Sequence, residues 1–174
     1  MVAGRFYHLP NPDDRECAAA ELARVLRPEG IAFIALMPRL AFLRRTIAST
    51  TGQHLLAQPG FVERVLKEGV SLNDRPGGFT GGYGVRLEEI EPFFARHGLA
   101  QLTLLSSEGF APDIQDHLAT LAVTDPDAYR TVFDALLRTA AEPSILGMSH
   151  HLLYVGQKRY ECEQELQDEQ DFDS

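Results

Sequence analysis

The chain has 174 residues, 44% of them hydrophobic, and carries 25 acids against 16 bases for a formal charge of −9; that length suits one domain with a sizeable core, or part of a larger one. Seven of the acids fall in Tyr160–Ser174, which holds no base, so the remainder is nearly neutral and lacks the basic footprint that nucleic-acid binding needs. No apolar run approaches the roughly 18 residues of a membrane span, no signal-peptide pattern opens the chain, and the spacing of Cys17 and Cys162 suits neither a disulfide framework nor a metal site. The sequence therefore predicts a cytoplasmic protein without nucleic-acid, membrane or metal partners.

Asn11 caps a predicted helix with Pro12 at its first position and Asp13, Asp14 and Glu16 at the positive end of its dipole. Ala18, Leu22, Val25 and Leu26 form its apolar stripe, and Pro28 and Gly30 stop it. The run Ile31 to Met37 follows without polar alternation, as for a strand covered on both faces. Residues 39–70 read as a helical insertion, with Leu40, Leu43 and Ile47 marking one helix and Phe61, Val62, Val65 and Leu66 another. Such a segment covers a pocket at the strand ends, forms an interface, or pads the core.

The glycine-rich stretch Arg75 to Gly84 lacks both the P-loop ending and the G-x-G-x-x-G spacing, and reads as a mobile loop. A helix from Leu87 to His97 then turns Leu87, Ile90 and Phe94 inward, with Pro92 deep in its first turns and Gly98 as its stop. Leu99 to Ser106 reads as an alternating strand with Leu102 and Leu104 on one face. Pro112 opens a short helix, and Thr124-Asp125-Pro126 opens a longer one striped by Tyr129, Val132, Phe133, Leu136 and Leu137. Ser149 to Gln157 is the last strand, and residues 160–174 form an acidic tail, either a solvated disordered end or an acidic interaction peptide.

Independent catalytic motifs are absent from the pattern. His150 and His151 are adjacent on a predicted strand and point to opposite faces, so they cannot share a metal. The other histidines lack ligand spacing, no nucleophile elbow is present, and Glu88, Glu89 and Glu91 suit a helix N-terminus.

Gly4-Arg5-Phe6-Tyr7-His8-Leu9, then Asp14-Arg15-Glu16, then Ala23-Arg24-Val25-Leu26-Arg27-Pro28-Glu29-Gly30-Ile31 leading into an apolar strand, resembles the class I S-adenosylmethionine-dependent methyltransferases. Phe79 to Glu89, the helix ending at His97-Gly98-Leu99, and the strand around His150-Leu152-Leu153 resemble that family's later elements. The resemblance covers nearly all of residues 1–159 but only the C-terminal half of the family's fold. It implies a partial Rossmann-like α/β sheet lacking its first three strands, with helices on both faces and the 39–70 insertion after the first full strand.

In that family the glycine-rich turn and the acid that bind S-adenosylmethionine lie in the first half. The resemblance thus implies that the cofactor belongs to the complete fold and is not bound by this chain alone. It also implies that the enzyme mainly aligns an acceptor with the methyl group. The positions matching the acceptor side are Tyr7, His8 and Arg39, with Tyr83 and His150 as further substrate-binding candidates. The strand Ile31 to Met37 is expected to be left as a bare sheet edge, which predicts a homodimer or a separate chain supplying the missing half. A non-catalytic dimerisation or small-molecule-binding module derived from the fold is the alternative.

Overall fold

The computed structural model describes residues 2–50, 52–72 and 81–159. The predicted acidic tail lies outside them, as does most of the glycine-rich segment.

The chain opens with β1 (Val2–Arg5), a 3-10 turn at Phe6–His8, and α1 (Pro12–Val25). Asn11 caps α1 by accepting from the Asp13 amide at 3.0 Å, which satisfies one of the donors that a helix start leaves unpaired. Its buried positions are Ala19 and Leu22, continued by Leu26, while Val25 turns outward. β2 (Ile31–Leu36) follows. α2 (Arg39–Ala48) and α3 (Phe61–Glu68) form the insertion, and β3 (Val70–Leu72) pairs antiparallel with β4 (Gly81–Tyr83). Then come α4 (Leu87–Ala95), β5 (Leu99–Ser106), α5 (Gln115–Thr124), α6 (Pro126–Thr139), α7 (Pro143–Met148) and β6 (Leu152–Lys158).

The main sheet runs β1-β2-β6-β5. β1 is parallel to β2, and β6 is antiparallel to both of its neighbours. Two sequence expectations are corrected here. β2 is not a bare edge, because it lies between β1 and β6; among the described residues the strand with one partner at this side is β1. Nor is β2 covered on both faces. Ala32, Ile34 and Leu36 are sealed, whereas Phe33 on the opposite face remains 39% exposed. The composition misleads because an apolar side chain on an open face reads the same as one in the core.

The sealed face packs against α1 and α4 through Phe6, Leu22, Ile34, Ile90, Phe94 and Tyr154. Phe94 stacks on Tyr154 at 4.3 Å between ring centroids, and the Tyr154 hydroxyl donates to the Leu99 carbonyl, so even the polar end of this buried ring is satisfied. Truncating a fully buried ring such as Phe94 costs about 3–5 kcal/mol. In β5 the register shifts between Gln101 and Thr103, and Leu102, 54% exposed at that bulge, parts company with Leu104 on the core.

A second cluster, built from Met37, Ala41, Phe42, Leu55, Phe61 and Val65, holds the insertion over the ends of the strands. The helix α2 buries Ala41, Phe42 and Thr46, and leaves Leu40 and Ile47 outside, one step round from the predicted stripe. Gly81 and Gly82, expected in a loop, belong to β4. A Cβ on Gly82 would stand 2.5 Å from the Phe42 ring and 2.9 Å from the Tyr7 carbonyl oxygen, so only glycine lets this strand lie on the turn after β1.

Candidate functional site

Because β6 runs against the rest of the sheet, its first residue meets the last residues of its neighbours. Leu152 lies opposite both Leu36 of β2 and Ser106 of β5. The carboxyl ends of β1, β2 and β5 and the approach to β6 therefore share one end of the sheet. In open α/β sheets ligands bind at that end. Tyr7 and His8 leave β1 there, Glu108 follows β5, and Ser149 and His151 precede β6.

Glu108 is the centre of this cluster. Its Oε1 stands 2.7 Å from His151 Nδ1, and its Oε2 accepts from the Ser149 hydroxyl at 3.0 Å and from the His151 backbone N–H at 3.1 Å. Ser106 Oγ lies 2.8 Å from Ser149 Oγ, and both serines are buried. Burial pushes the Glu108 carboxyl up, but the hydrogen bonds from the His151 ring, the His151 backbone and Ser149 outweigh it and hold the group below the usual carboxylate value. An ionised carboxylate only accepts, so Nδ1 of His151 carries a proton and donates it to Glu108, which leaves Nε2 as the nitrogen that bears the lone pair in the neutral form of the ring. The imidazole is thus fixed in the tautomer that a general base requires.

An aromatic pair borders the dyad. Tyr7 lies 5.6 Å from His151 and 4.6 Å from His8 between ring centroids. Tyr7 is itself packed on the second apolar cluster, and the close approach of Gly82 to its carbonyl fixes the turn that carries it.

The five residues singled out in the sequence fall in different places. Tyr7 stands beside His151, and His8 stands on Tyr7. Arg39 does not reach that group: it is 8% exposed, with Nε donating to the Gly84 carbonyl, Nη1 to those of Leu66 and Lys67, and Nη2 to both oxygens of Glu89 at 3.0 and 3.2 Å. It is a clamp that ties α2, α3, β4 and α4 together. Tyr83 joins the same carboxylate, its hydroxyl donating to Glu89 at 3.1 Å, and the Arg15 guanidinium lies over its ring at 3.6 Å. Burial first, and then the charge of Glu89, raise the Tyr83 hydroxyl above its usual value. His150 sits half-buried at the bend before β6, and the contacts to Glu108 and Tyr7 are made by its neighbour.

Sequence reasoning missed Glu108, Ser149 and the role of His151. Glu108 and His151 stand 43 positions apart, with the three helices α5, α6 and α7 between them. The signal that brings them together is topological, an antiparallel last strand starting where β5 ends.

Among the described residues no group of three His, Cys, Asp or Glu is placed to hold a metal, and no helix is long and apolar enough to cross a membrane. S-adenosylmethionine, implied by the resemblance, needs a glycine-rich turn after a strand and an acid at a strand end. The turns after β1 and β2 hold no glycine and neither strand ends in an acid, while β5 is followed by Glu108 and one glycine, Gly109, which is not a glycine-rich turn. The turns after these three strands do not supply that pair of features.

Comparison with known proteins rests on solved structures. No protein-family model and no curated protein matches the sequence. A SAM-dependent methyltransferase from Methanosarcina mazei superposes with a TM-score of 0.51 at 14% identity, over 92% of this chain and 58% of that one. A cyclopropane synthase from Mycobacterium tuberculosis gives a TM-score of 0.41 at 16% identity, over 90% of this chain and 54% of that one. A structure from Burkholderia thailandensis bound to S-adenosyl-homocysteine gives 0.38 at 14% identity, over 84% and 36%. The first of these shows that the chain has a methyltransferase-like α/β fold, and the chain spans little more than half of that neighbour's length.

Proposed function

We propose that this chain is the acceptor side of an S-adenosylmethionine-dependent methyltransferase acting on a small molecule. The observation that carries the reading is the Glu108–His151 dyad at the carboxyl end of a methyltransferase-like sheet. A hydroxyl or amine acceptor must lose a proton when it is methylated. His151 Nε2 is the atom that takes it, and Glu108 holds the ring in place and stabilises the imidazolium that results. Tyr7 and His8 supply a flat aromatic wall against which the acceptor is oriented.

The methyl donor belongs to further strands added beside β1. The edge supports this: β1 pairs with β2 alone among the described residues, and strands continuing the sheet would satisfy its backbone. Those strands are supplied by sequence continuous with this chain or by a second chain. The same edge supports the alternative of a non-catalytic dimer in which two copies pair along β1.

Titration calorimetry separates these readings. The 174-residue chain alone is expected to show no tight binding of S-adenosylmethionine; one-to-one binding would overturn the need for further strands. The product of the complete open reading frame, with any partner it purifies with, is expected to bind; absence of binding there would overturn the methyltransferase reading. Light scattering of the chain at micromolar concentration should give a mass above the monomer, and a stable monomer would remove the dimer from consideration.

A further inference from the structure

We propose that a second site, the cavity between α1 and α4, binds a small aromatic carboxylate, with its ring among Phe6, Phe93 and Phe94 and its carboxylate on Arg15. This goes beyond the methyl-transfer reading and does not depend on it. Phe6 and Tyr7 are neighbours in one turn, but Phe6 faces this cavity while Tyr7 faces the dyad.

The cavity has a volume of about 420 Å³, within the roughly 300–1,000 Å³ of small-molecule sites. Its inner part is apolar beneath a charged rim. Phe6 meets Phe93 and Phe94 edge to face at 5.7 and 5.5 Å, and Leu36, Val85 and Ile90 complete the floor. A planar ring is the natural occupant, because these rings leave edges and faces for a further offset or T-shaped contact.

The charges at the rim select the sign of the ligand. Glu16 is paired with Arg96 and His97, Glu89 with Arg39, and Glu88 faces Arg86 at 3.9 Å. Each acid therefore has its own cation. Arg15 lines the same cavity and, among the described residues, forms no ion pair. Its Nη1 donates to the carbonyls of Leu9 and Pro10 at 2.8 Å each, and its plane lies on Tyr83. Burial is the main influence on it and lowers its guanidinium below the usual value. A partly desolvated cation, already fixed by two carbonyls and a ring, offers its remaining donors to a carboxylate at little ordering cost.

The test uses the whole chain labelled with nitrogen-15, titrated with 2-naphthoate and, separately, with the neutral 2-naphthamide. Naphthoate is expected to move the amides of residues 13–16, Val85 and α4, and to bind at least about tenfold more tightly than the amide, the scale of one charge-assisted contact. This arm needs no variant. Equal binding of the two compounds, no shifts with either at millimolar concentration, or shifts centred on Tyr7 and His151 would overturn the proposal. Arg15→Gln should bring naphthoate down to the level of naphthamide, Arg15→Lys should keep part of the preference, and Arg24→Gln, at an exposed pair with Glu21 outside the cavity, should keep all of it. Retention of the full preference in Arg15→Gln would place the carboxylate elsewhere and overturn the assignment.

Discussion

Glu108 and Glu89 are built alike but hold different partners. Each carboxylate gathers several donors from distant parts of the chain and includes a backbone N–H among them: His151 for Glu108 and Arg86 for Glu89. The remaining partners differ. Glu89 takes the permanently charged Arg39 and the hydroxyl of Tyr83, neither of which exchanges a proton near neutral pH. Glu108 takes Ser149 and the ring of His151, whose second nitrogen can accept a proton at the open end of the sheet. On the proposed methyl-transfer reading, the titratable partner is what sets the Glu108 hub apart from the structural hub at Glu89, and burial alone does not distinguish the two.

The sharpest way to break that contrast is to remove the titrating partner. In the active assembly His151→Gln, which retains a side-chain amide donor, is expected to lower methyl transfer by about 10²–10⁴-fold, the range of a lost general base. Glu108→Gln should lower it less, because the ring remains. Folding stability, measured by urea unfolding, should move little in either variant. A His151→Gln protein with undiminished transfer would leave the dyad with a structural role only.

The reverse experiment is Arg39→Met. It strips donors from the carbonyls of Gly84, Leu66 and Lys67 and uncouples Glu89, and should cost about 3 kcal/mol of stability. For a domain of this size that is a fall in Tm of about 6–12 °C by calorimetry. Arg39→Lys should recover little of it, since one ammonium cannot span three elements. A loss below about 1 kcal/mol would mean that the clamp is ornamental. Gly82→Ala comes next, at about 2 kcal/mol, through overlap with the Phe42 ring and the Tyr7 carbonyl. It should shift the Tyr7 and His8 resonances as well, because the turn that carries them is displaced.

This difference between the two hubs could not be seen in the sequence, although much of the fold could. Asn11-Pro12 marks the start of α1 because capping is local chemistry, and the run Ile31 to Met37 marks β2 because a β-rich apolar stretch has few other uses. What failed was whatever depended on remote neighbours. Phe33 keeps 39% of its surface because its face is only partly covered, and Leu102 leaves its predicted face because a bulge intervenes. Arg39 was read as facing an acceptor; no local pattern distinguishes a guanidinium with internal partners on three elements from a free one. Glu108 and His151 meet only through the antiparallel placement of β6.

The smallest expected effect concerns the charge state of Glu108. Its carboxyl is held below the usual value of 4.5 in the folded protein, whereas the unfolded chain restores that value, so the unfolded state binds more protons in between. Stability from this group is therefore fully present above about pH 4.5 and is lost as pH falls through the lower folded value. Urea unfolding of the wild type and Glu108→Gln at about pH 6 and about pH 3.5 isolates the contribution, since the other acids titrate in both proteins and cancel in the difference. The wild type should hold its advantage at the higher pH and surrender part of it at the lower. Glu16, which Arg96 and His97 also depress, lies at the surface and should show a weaker version of the same trend. An advantage that stays constant with pH would mean that the three donors on Glu108 do not favour its ionised form, and the fixed tautomer of His151 would lose its basis.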